Sequence, residues 1–282
     1  MKGGRKVWLI TGSSRGFGAE LVTAVLESGD AVLATARHPE DIKQPLDEHR
    51  ERFRTAPLDV TDPGAAQAAV ALAQADLGGL DVVVNNAGYA NSASIEEMGP
   101  EDFRAQIEAN LFGVVNVTRA ALPVLRAQRS GTFVQFSSIG GRVGGTPGMG
   151  AYQTAKFAVE GFSEVLANEV KPFGIDVIIV EPGGFRTDWQ GSSMQLHPAG
   201  PDYDQTVGEF NRMRERTNGA QPGDPARGAR VIVDVVRAAK PPRRLVLGAQ
   251  AVVMAREAAA VRAAELEQWA DISRAADFPS GQ

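Results

Sequence analysis

The chain has 282 residues, 43% hydrophobic and 22% charged, with 29 Lys and Arg against 34 Asp and Glu for a net charge of −5. That length holds one large domain or two small ones, with a sizeable core, and the acidic balance argues against a nucleic-acid surface. The absence of Cys excludes disulfides, thiol nucleophiles and thiolate metal sites, and no apolar run approaches the ~18 residues of a membrane span. The basic start, Met1 to Lys6, precedes an apolar run, Val7 to Ile10, too short for a signal-peptide core. The expectation is a cytoplasmic protein that engages neither membrane nor nucleic acid.

Lys6 to Ile10 reads as a strand, and Leu21, Val22, Val25 and Leu26 form one face of a helix ending at Gly29. Between them lies Thr11-Gly12-Ser13-Ser14-Arg15-Gly16-Phe17-Gly18. A Gly-rich turn wedged between strand and helix lets backbone approach a diphosphate, and the helix N-terminus offers free N–H groups and a positive dipole end. The spacing is Gly-x3-Gly-x-Gly rather than G-x-G-x-x-G. Ala31 to Ala36 is a second strand, followed by Arg37 where an NAD-preferring fold places an acid. Arg37 and Arg15 together suit a 2′-phosphate, so NADP is the expected cofactor. The alternative reading, Arg37 as a solvated loop charge, stays open.

Residues 38 to 52 are polar and charged, a surface connection or short helix. Arg54 to Val60 reads as a third strand, with Asp59 placed either to touch an adenine or to cap the following helix. Thr61-Asp62-Pro63 opens an Ala-rich helix to about Leu77. Leu80 to Val84 is a fourth, continuously apolar strand running into Asn85-Asn86-Ala87-Gly88. One long helix is expected from Glu101 to about Gln128, with Asn110 marking a buried polar feature or a kink. Gly131 to Phe136 is the fifth strand, with Ser137-Ser138 at its C-terminal end, where open parallel sheets bind ligands. The next helix, to about Pro172, carries Tyr152 and Lys156 at i,i+4 on one face. A cation there is expected to lower the phenol pKa toward that of a neutral-pH proton-transfer group. Ile175 to Val180 is the sixth strand, followed by Glu181-Pro182-Gly183-Gly184-Phe185-Arg186-Thr187.

Residues 188 to 223 lose regularity around a helix from Asp202 to Thr217, which suits a mobile lid. Asp224-Pro225 starts a helix through about Ala239, and Arg244 to Gly248 is a seventh strand. An amphipathic helix from Ala249 to about Ala270 lies within a C-terminal extension, 249–282, and is expected to pack on its own domain. The alternation argues one α/β domain, 1–282, built on a doubly wound parallel sheet. The three His (His38, His49, His197) lack metal spacing and read as surface residues; no metal is expected.

With these motifs assembled, the chain resembles the compact one-domain short-chain dehydrogenase/reductases, continuously from about residue 6 to 187 and in outline beyond. The resemblance rests on Thr11, Gly12, Gly16 and Gly18; on Asn85-Asn86-Ala87-Gly88; on Asn110, Ser138, Tyr152 and Lys156; and on Pro182, Gly183 and Thr187. It implies a Rossmann-like, seven-stranded sheet and hydride transfer between NADP(H) and a carbonyl/alcohol pair. Tyr152 would be the general acid and base, and Ser138 would hold the carbonyl oxygen. Lys156 would lower the Tyr152 pKa and bind the nicotinamide ribose, and Asn110 would hold a relay water. Gly12 to Gly18, with Ser14, Arg15 and Phe17, would hold the cofactor together with Arg37, Asp59 and Val60. Asn86, Ala87 and Gly88 would line its path, and Pro182, Gly183 and Thr187 would meet its carboxamide end.

A small-molecule carbonyl or alcohol partner and a homodimer or homotetramer are also implied. One residue more than the family commonly shows separates Ser138 from Tyr152, assigned to Gly144-Gly145-Thr146-Pro147; Ser137 is a secondary candidate for the hydroxyl. Tyr89, Asn91, Ser92, Val143, Met149, Phe185, Trp189, Met194 and Tyr203 are expected to line a mixed, apolar pocket. Alternatives are an NAD-dependent alcohol or hydroxysteroid dehydrogenase running oxidatively, or a non-catalytic NADP sensor.

Overall fold

The computed structural model describes residues 4–191 and 193–278, so residues 1–3 of the basic start and 279–282 of the extension lie outside it. The strands are β1 (Val7–Thr11), β2 (Ala31–Ala36), β3 (Phe53–Pro57), β4 (Val82–Asn85), β5 (Ala90–Ser92), β6 (Gly131–Phe136), β7 (Ile175–Pro182), β8 (Met194–Leu196) and β9 (Arg244–Leu247). The α-helices are α1 (Gly16–Glu27), α2 (Pro63–Leu77), α3 (Pro100–Ile107), α4 (Gly113–Gln128), α5 (Ile139–Arg142), α6 (Gly150–Val170), α7 (Glu209–Thr217), α8 (Pro225–Val236) and α9 (Ala249–Arg274).

Seven strands form one parallel sheet in the order β3-β2-β1-β4-β6-β7-β9. Strand order reverses between β1 and β4, and a ligand crevice forms beyond the strand ends at such a switch point. Alternate residues of each strand feed two cores. Trp8 and Ile10 face α1 and α8, packing with Leu21, Val25, Ile232 and Val233. Val7 and Leu9 face the opposite layer, with Val70, Val117, Leu125 and Leu166. The strands are apolar on both sides because both sides are covered.

Local chemistry fixes several boundaries. Asp62 caps α2 by accepting from the Gly64 N–H, with Pro63 at its first position, and Gly78 ends it at φ 83°. The expected third strand stops at Pro57; Leu58-Asp59-Val60 form the turn after it, because Asp59 accepts from the Thr61 N–H and hydroxyl. The expected single helix from Glu101 is broken by a π-helical turn, Glu108–Phe112.

Beyond β7, the described residues of 188–223 form a cover. β8 pairs in parallel with β5 as a second, two-stranded sheet, and α7 is tied down by Asn211, which accepts from Ser92 Oγ (2.7 Å) and donates to the His197 carbonyl (3.2 Å). The final helix does not pack as expected. Only Ala251 and Ala255 of α9 are buried, and Arg262 secures it by donating to the carbonyls of Arg142 and Val143. Leu266, Trp269 and Ile272 are exposed beyond that point, as is Val261 just before it.

Candidate active site

The β1–α1 turn is a backbone cradle. Gly12 and Gly16 adopt φ 68° and 57°, a region costly to residues with a Cβ. A Cβ on Gly18 would run into the Gly12 carbonyl oxygen and the Asn86 amide. The Asn86 side chain donates to the carbonyls of Thr11 (3.0 Å) and Gly12 (3.1 Å), while the N–H groups of Asn86 and Ala87 donate to Thr11 Oγ1. Asn86 thus pins the ends of β1 and β4 together across the switch point.

Arg15, at the N-cap of α1, offers no side-chain cap, and no acid occupies the first turn. The leading N–H groups of α1, including that of Phe17, are therefore aimed at the crevice as a positive helix end. The Phe17 ring itself turns inward, 5.5 Å from Phe136 and 4.8 Å from Phe185. Ser14 lies between the two strained glycines, and Thr187 rests beside Gly16.

At the other end of the crevice, Arg37 is exposed after β2. Hydrogen bonds from Thr61, then the Arg37 charge, hold the Asp59 carboxyl below its ordinary range. Val60 gives its carbonyl to Asn116 (3.0 Å) and packs where a Cβ on Gly113 would stand. After β7, the Gly183 N–H donates to the Leu247 carbonyl (2.9 Å), fixing the Pro182–Gly183 corner. A Cβ-free cradle, an uncapped helix end and an exposed guanidinium along one crevice fit a phosphorylated dinucleotide.

Tyr152 and Lys156 stand one turn apart on α6 and are 6% and 4% exposed. Lys156 Nζ donates to the Phe136 carbonyl (2.8 Å) and lies 5.7 Å from the Tyr152 ring centroid. Burial pushes the phenol up to about 12, against the opposing effects of a hydrogen bond with Ser138 and the Arg214 charge. Burial pushes Lys156 down to about 8. The i,i+4 spacing predicts a phenol lowered by its lysine; the structure has it raised, because desolvation outweighs the Ser138 hydrogen bond and the Arg214 charge that oppose it.

Ser138 follows β6 and caps the short α5 by accepting from the Gly140 N–H (3.0 Å). Ser137 is buried and donates to the Lys156 carbonyl (3.4 Å), a structural tie that leaves Ser138 as the hydroxyl beside Tyr152. The segment assigned the additional residue turns through Gly144, Gly145 and Gly148, all at positive φ, and Thr146 is clasped by the Gln153 amide.

Asn110 is fully buried in the π turn and donates to the carbonyls of Gln106 and Tyr89 (2.9 Å each). Its Oδ1 has no hydrogen-bond partner among the described residues. A Cβ on Gly88 would run into that oxygen and stand 3.8 Å from Lys156 Nζ. Gly88, Asn110 and Lys156 therefore converge behind Tyr152.

The cover closes over Tyr152 with Met149, Met194, Trp189 and Leu196, the Trp189 ring centroid 5.1 Å from that of Tyr152. Two expected lining residues go elsewhere: Phe185 belongs to the core beneath Phe17, and Tyr203 is outside, donating to Glu96 (2.6 Å). His197 is only a third exposed, with Nε2 3.7 Å from Asp102, rather than a free surface residue. Arg214 of α7, which sequence reasoning missed, is buried against this same cluster.

The family model for short chain dehydrogenases matches residues 6–196. The chain belongs to the short-chain dehydrogenase/reductase family. An oxidoreductase of Botryotinia fuckeliana, BOA17, is 47% identical over 271 residues, covering 96% of this chain and 98% of the relative. A short-chain dehydrogenase from Streptomyces avermitilis superimposes with a TM-score of 0.89 at 38% identity, covering 96% of this chain and all of that one. A short-chain dehydrogenase from Burkholderia cenocepacia in complex with NADP does so at 0.71 and 27%, covering 95% and 98%. The short-chain dehydrogenase fold thus extends through the cover and most of α9, and the chain is an oxidoreductase of a nicotinamide-binding family. Among the described residues no helix is long and apolar enough to cross a membrane.

Proposed function

We propose that this short-chain dehydrogenase is an NADP-dependent oxidoreductase that interconverts a ketone or aldehyde with its alcohol, with Tyr152 moving the proton. The observation that carries the reading is the buried phenol at the crevice mouth, beside Ser138 and one helical turn from Lys156. Gly12, Ser14, Gly16, Phe17 and Gly18 hold the diphosphate through backbone N–H groups. Arg15 and Arg37 face the 2′-phosphate; Asp59 and Val60 flank the adenine. Asn86, Ala87 and Gly88 line the path, Lys156 holds the nicotinamide ribose, and Pro182, Gly183 and Thr187 meet the carboxamide. The NADP in the Burkholderia relative supports this cofactor.

When bound, the cofactor supplies or takes up the hydride. Ser138 Oγ donates to the carbonyl oxygen and holds it near Tyr152 Oη, which delivers the proton as charge develops there. In the oxidative direction Tyr152 Oη takes the alcohol proton. Asn110 Oδ1, facing Gly88 and Lys156, holds the water through which Lys156 Nζ returns protons to Tyr152. A phenol held at about 12 is in its acid form at neutral pH, the form that protonation of a carbonyl oxygen requires. The Met149–Trp189–Met194 cover keeps bulk water from the reacting carbon. The exposed apolar residues of α9 support assembly as a homo-oligomer.

The test is NADPH consumption across ketones, aldehydes and cyclic diketones, beside fluorescence titrations with NADPH and NADH. Turnover with at least tenfold tighter NADPH binding is expected, on the scale of one charge-assisted phosphate contact. Tighter NADH binding would overturn the cofactor assignment, and turnover only with alcohols and oxidised cofactor would reverse the direction.

A further inference from the structure

Arg214 is 6% exposed, in the cover directly above the candidate active site. Its guanidinium lies 4.5 Å from the Phe210 ring and 5.9 Å from that of Trp189, whose ring in turn packs on Tyr152. Nη1 points at the thioether sulfurs of Met149 (2.9 Å) and Met194 (2.8 Å), which are weak acceptors. Nε is buried with no hydrogen-bond partner among the described residues. No carboxylate among the described residues forms an ion pair with it: on the same helix Glu209 is taken by Arg212 and Arg216, and in the turn before it Asp204 is taken by Arg212.

A buried guanidinium without a counter-charge is costly, and aromatic faces repay only part of that cost. Burial lowers the group only to about 10, so it is still a cation at neutral pH. It is also held in place: Asn211, three residues earlier on the same helix face, is bonded to Ser92 of β5 and to His197 just after β8. A fixed, buried, unpaired cation one aromatic ring away from the reacting phenol is a receptor for an anion on whatever Tyr152 protonates.

We infer that Arg214 binds a carboxylate of the substrate, so that the proposed carbonyl substrate is an oxo acid. The inference rests on the proposed carbonyl reaction for where the substrate lies. A monoanion is the matching charge, since one guanidinium in an apolar box of two Met, Phe and Trp neutralises one negative charge and no second cation is buried beside it among the described residues. The planar fork suits the two oxygens of a carboxylate. The carboxylate would leave the apolar remainder of the substrate against Met149, Met194 and Trp189.

The experiment compares 4-oxopentanoate and 6-oxoheptanoate with their methyl esters as substrates with NADPH, in the wild type, Arg214→Met and Arg214→Lys. Met fits the apolar surroundings, and Lys keeps the charge without the fork. The wild type should favour at least one acid over its ester by roughly 100-fold in kcat/KM, the scale of a charge-assisted hydrogen-bonded pair. Arg214→Met should abolish that preference, lowering kcat/KM for the acid by roughly 100-fold more than for the ester, and Arg214→Lys should fall between.

A second readout does not require turnover: calorimetric titration of heptanoate and heptanamide into the NADP-loaded protein. Heptanoate should bind the wild type and lose its advantage over the amide in Arg214→Met. Carbonyl turnover without any acid preference would overturn this inference alone. Arg214-dependent heptanoate binding without turnover of any carbonyl would uphold it and overturn the proposed reaction. An equal fall of acid and ester in Arg214→Met, with no Arg214-dependent binding of heptanoate, would make Arg214 a support for Tyr152 and overturn the assignment.

Discussion

Replacing Lys156 with Met turns the burial of its ammonium into a measurable slope. The ordinary lysine value of 10.5 is pushed down to about 8 by burial. Below pH 8 both the folded and the unfolded chain carry the charge, and the fold bears the cost of desolvating it. Between about 8 and 10.5 the folded chain has released the proton and the unfolded chain still binds it. Stability therefore rises with pH through that window, by ~1.4 kcal/mol per unit.

Lys156→Met removes the group and the rise with it. Tyr152, pushed up from 10 to about 12, has the opposite sign: the unfolded chain ionises first, so its contribution is lost between 10 and 12. Both proteins share that loss, and most of it lies above pH 10. The Phe136 carbonyl loses its donor in the variant, a pH-independent cost that offsets the two curves without changing their slopes. Urea unfolding at pH 7, 8, 9 and 10 should show wild type gaining about 2–3 kcal/mol relative to Lys156→Met between the ends of that range. Parallel curves would mean that the ammonium is hydrated in the fold and that the buried Tyr–Lys pair is drawn wrongly.

Arg37→Asp removes the exposed cation after β2 and should lower the NADPH-to-NADH ratio of kcat/KM by ~10–100-fold, on the scale of one charge-assisted phosphate contact; an unchanged ratio would make Arg37 a solvated loop charge. Gly18→Ala places a methyl against the Gly12 carbonyl oxygen, a backbone atom that cannot swing aside. It should cost about 3 kcal/mol and lower Tm by roughly 6–12 °C, with weakened cofactor binding. A wild-type melting curve would show that the turn can widen and that the cradle is looser than drawn.

The sheet and the crevice were legible because their signals are local. Ala31–Ala36 and Gly131–Phe136 are bounded at the same residues by pattern and by structure, and α2 announces itself through Asp62, Pro63 and Gly78. The glycine turn and the Tyr152–Lys156 helix carry their chemistry in short, contiguous spacings. What escaped depends on partners distant in the chain. β5 and β8 are three residues each and about a hundred residues apart, too short for any periodicity to register. The π turn at Asn110 is invisible in a pattern that stays helical on both sides.

The sign of the Tyr152 shift was missed because spacing reports proximity and not burial. α7, with Glu209, Arg212, Arg214, Glu215 and Arg216, reads as a solvated charged helix, and only the fold reveals that Arg214 points inward. α9 reads as amphipathic, yet its apolar residues beyond Arg262 find no surface of their own chain.

The central claim is that the Tyr152 hydroxyl, and no other group, moves the proton. Tyr152→Phe removes one oxygen and leaves the ring against Trp189 and the cofactor crevice untouched. With a carbonyl substrate from the panel, the comparison is NADPH turnover and NADPH affinity in the two proteins. The account predicts affinity within a few-fold of wild type and turnover reduced ~100- to 10,000-fold, the usual contribution of a positioned acid. Turnover close to wild type in Tyr152→Phe would contradict it.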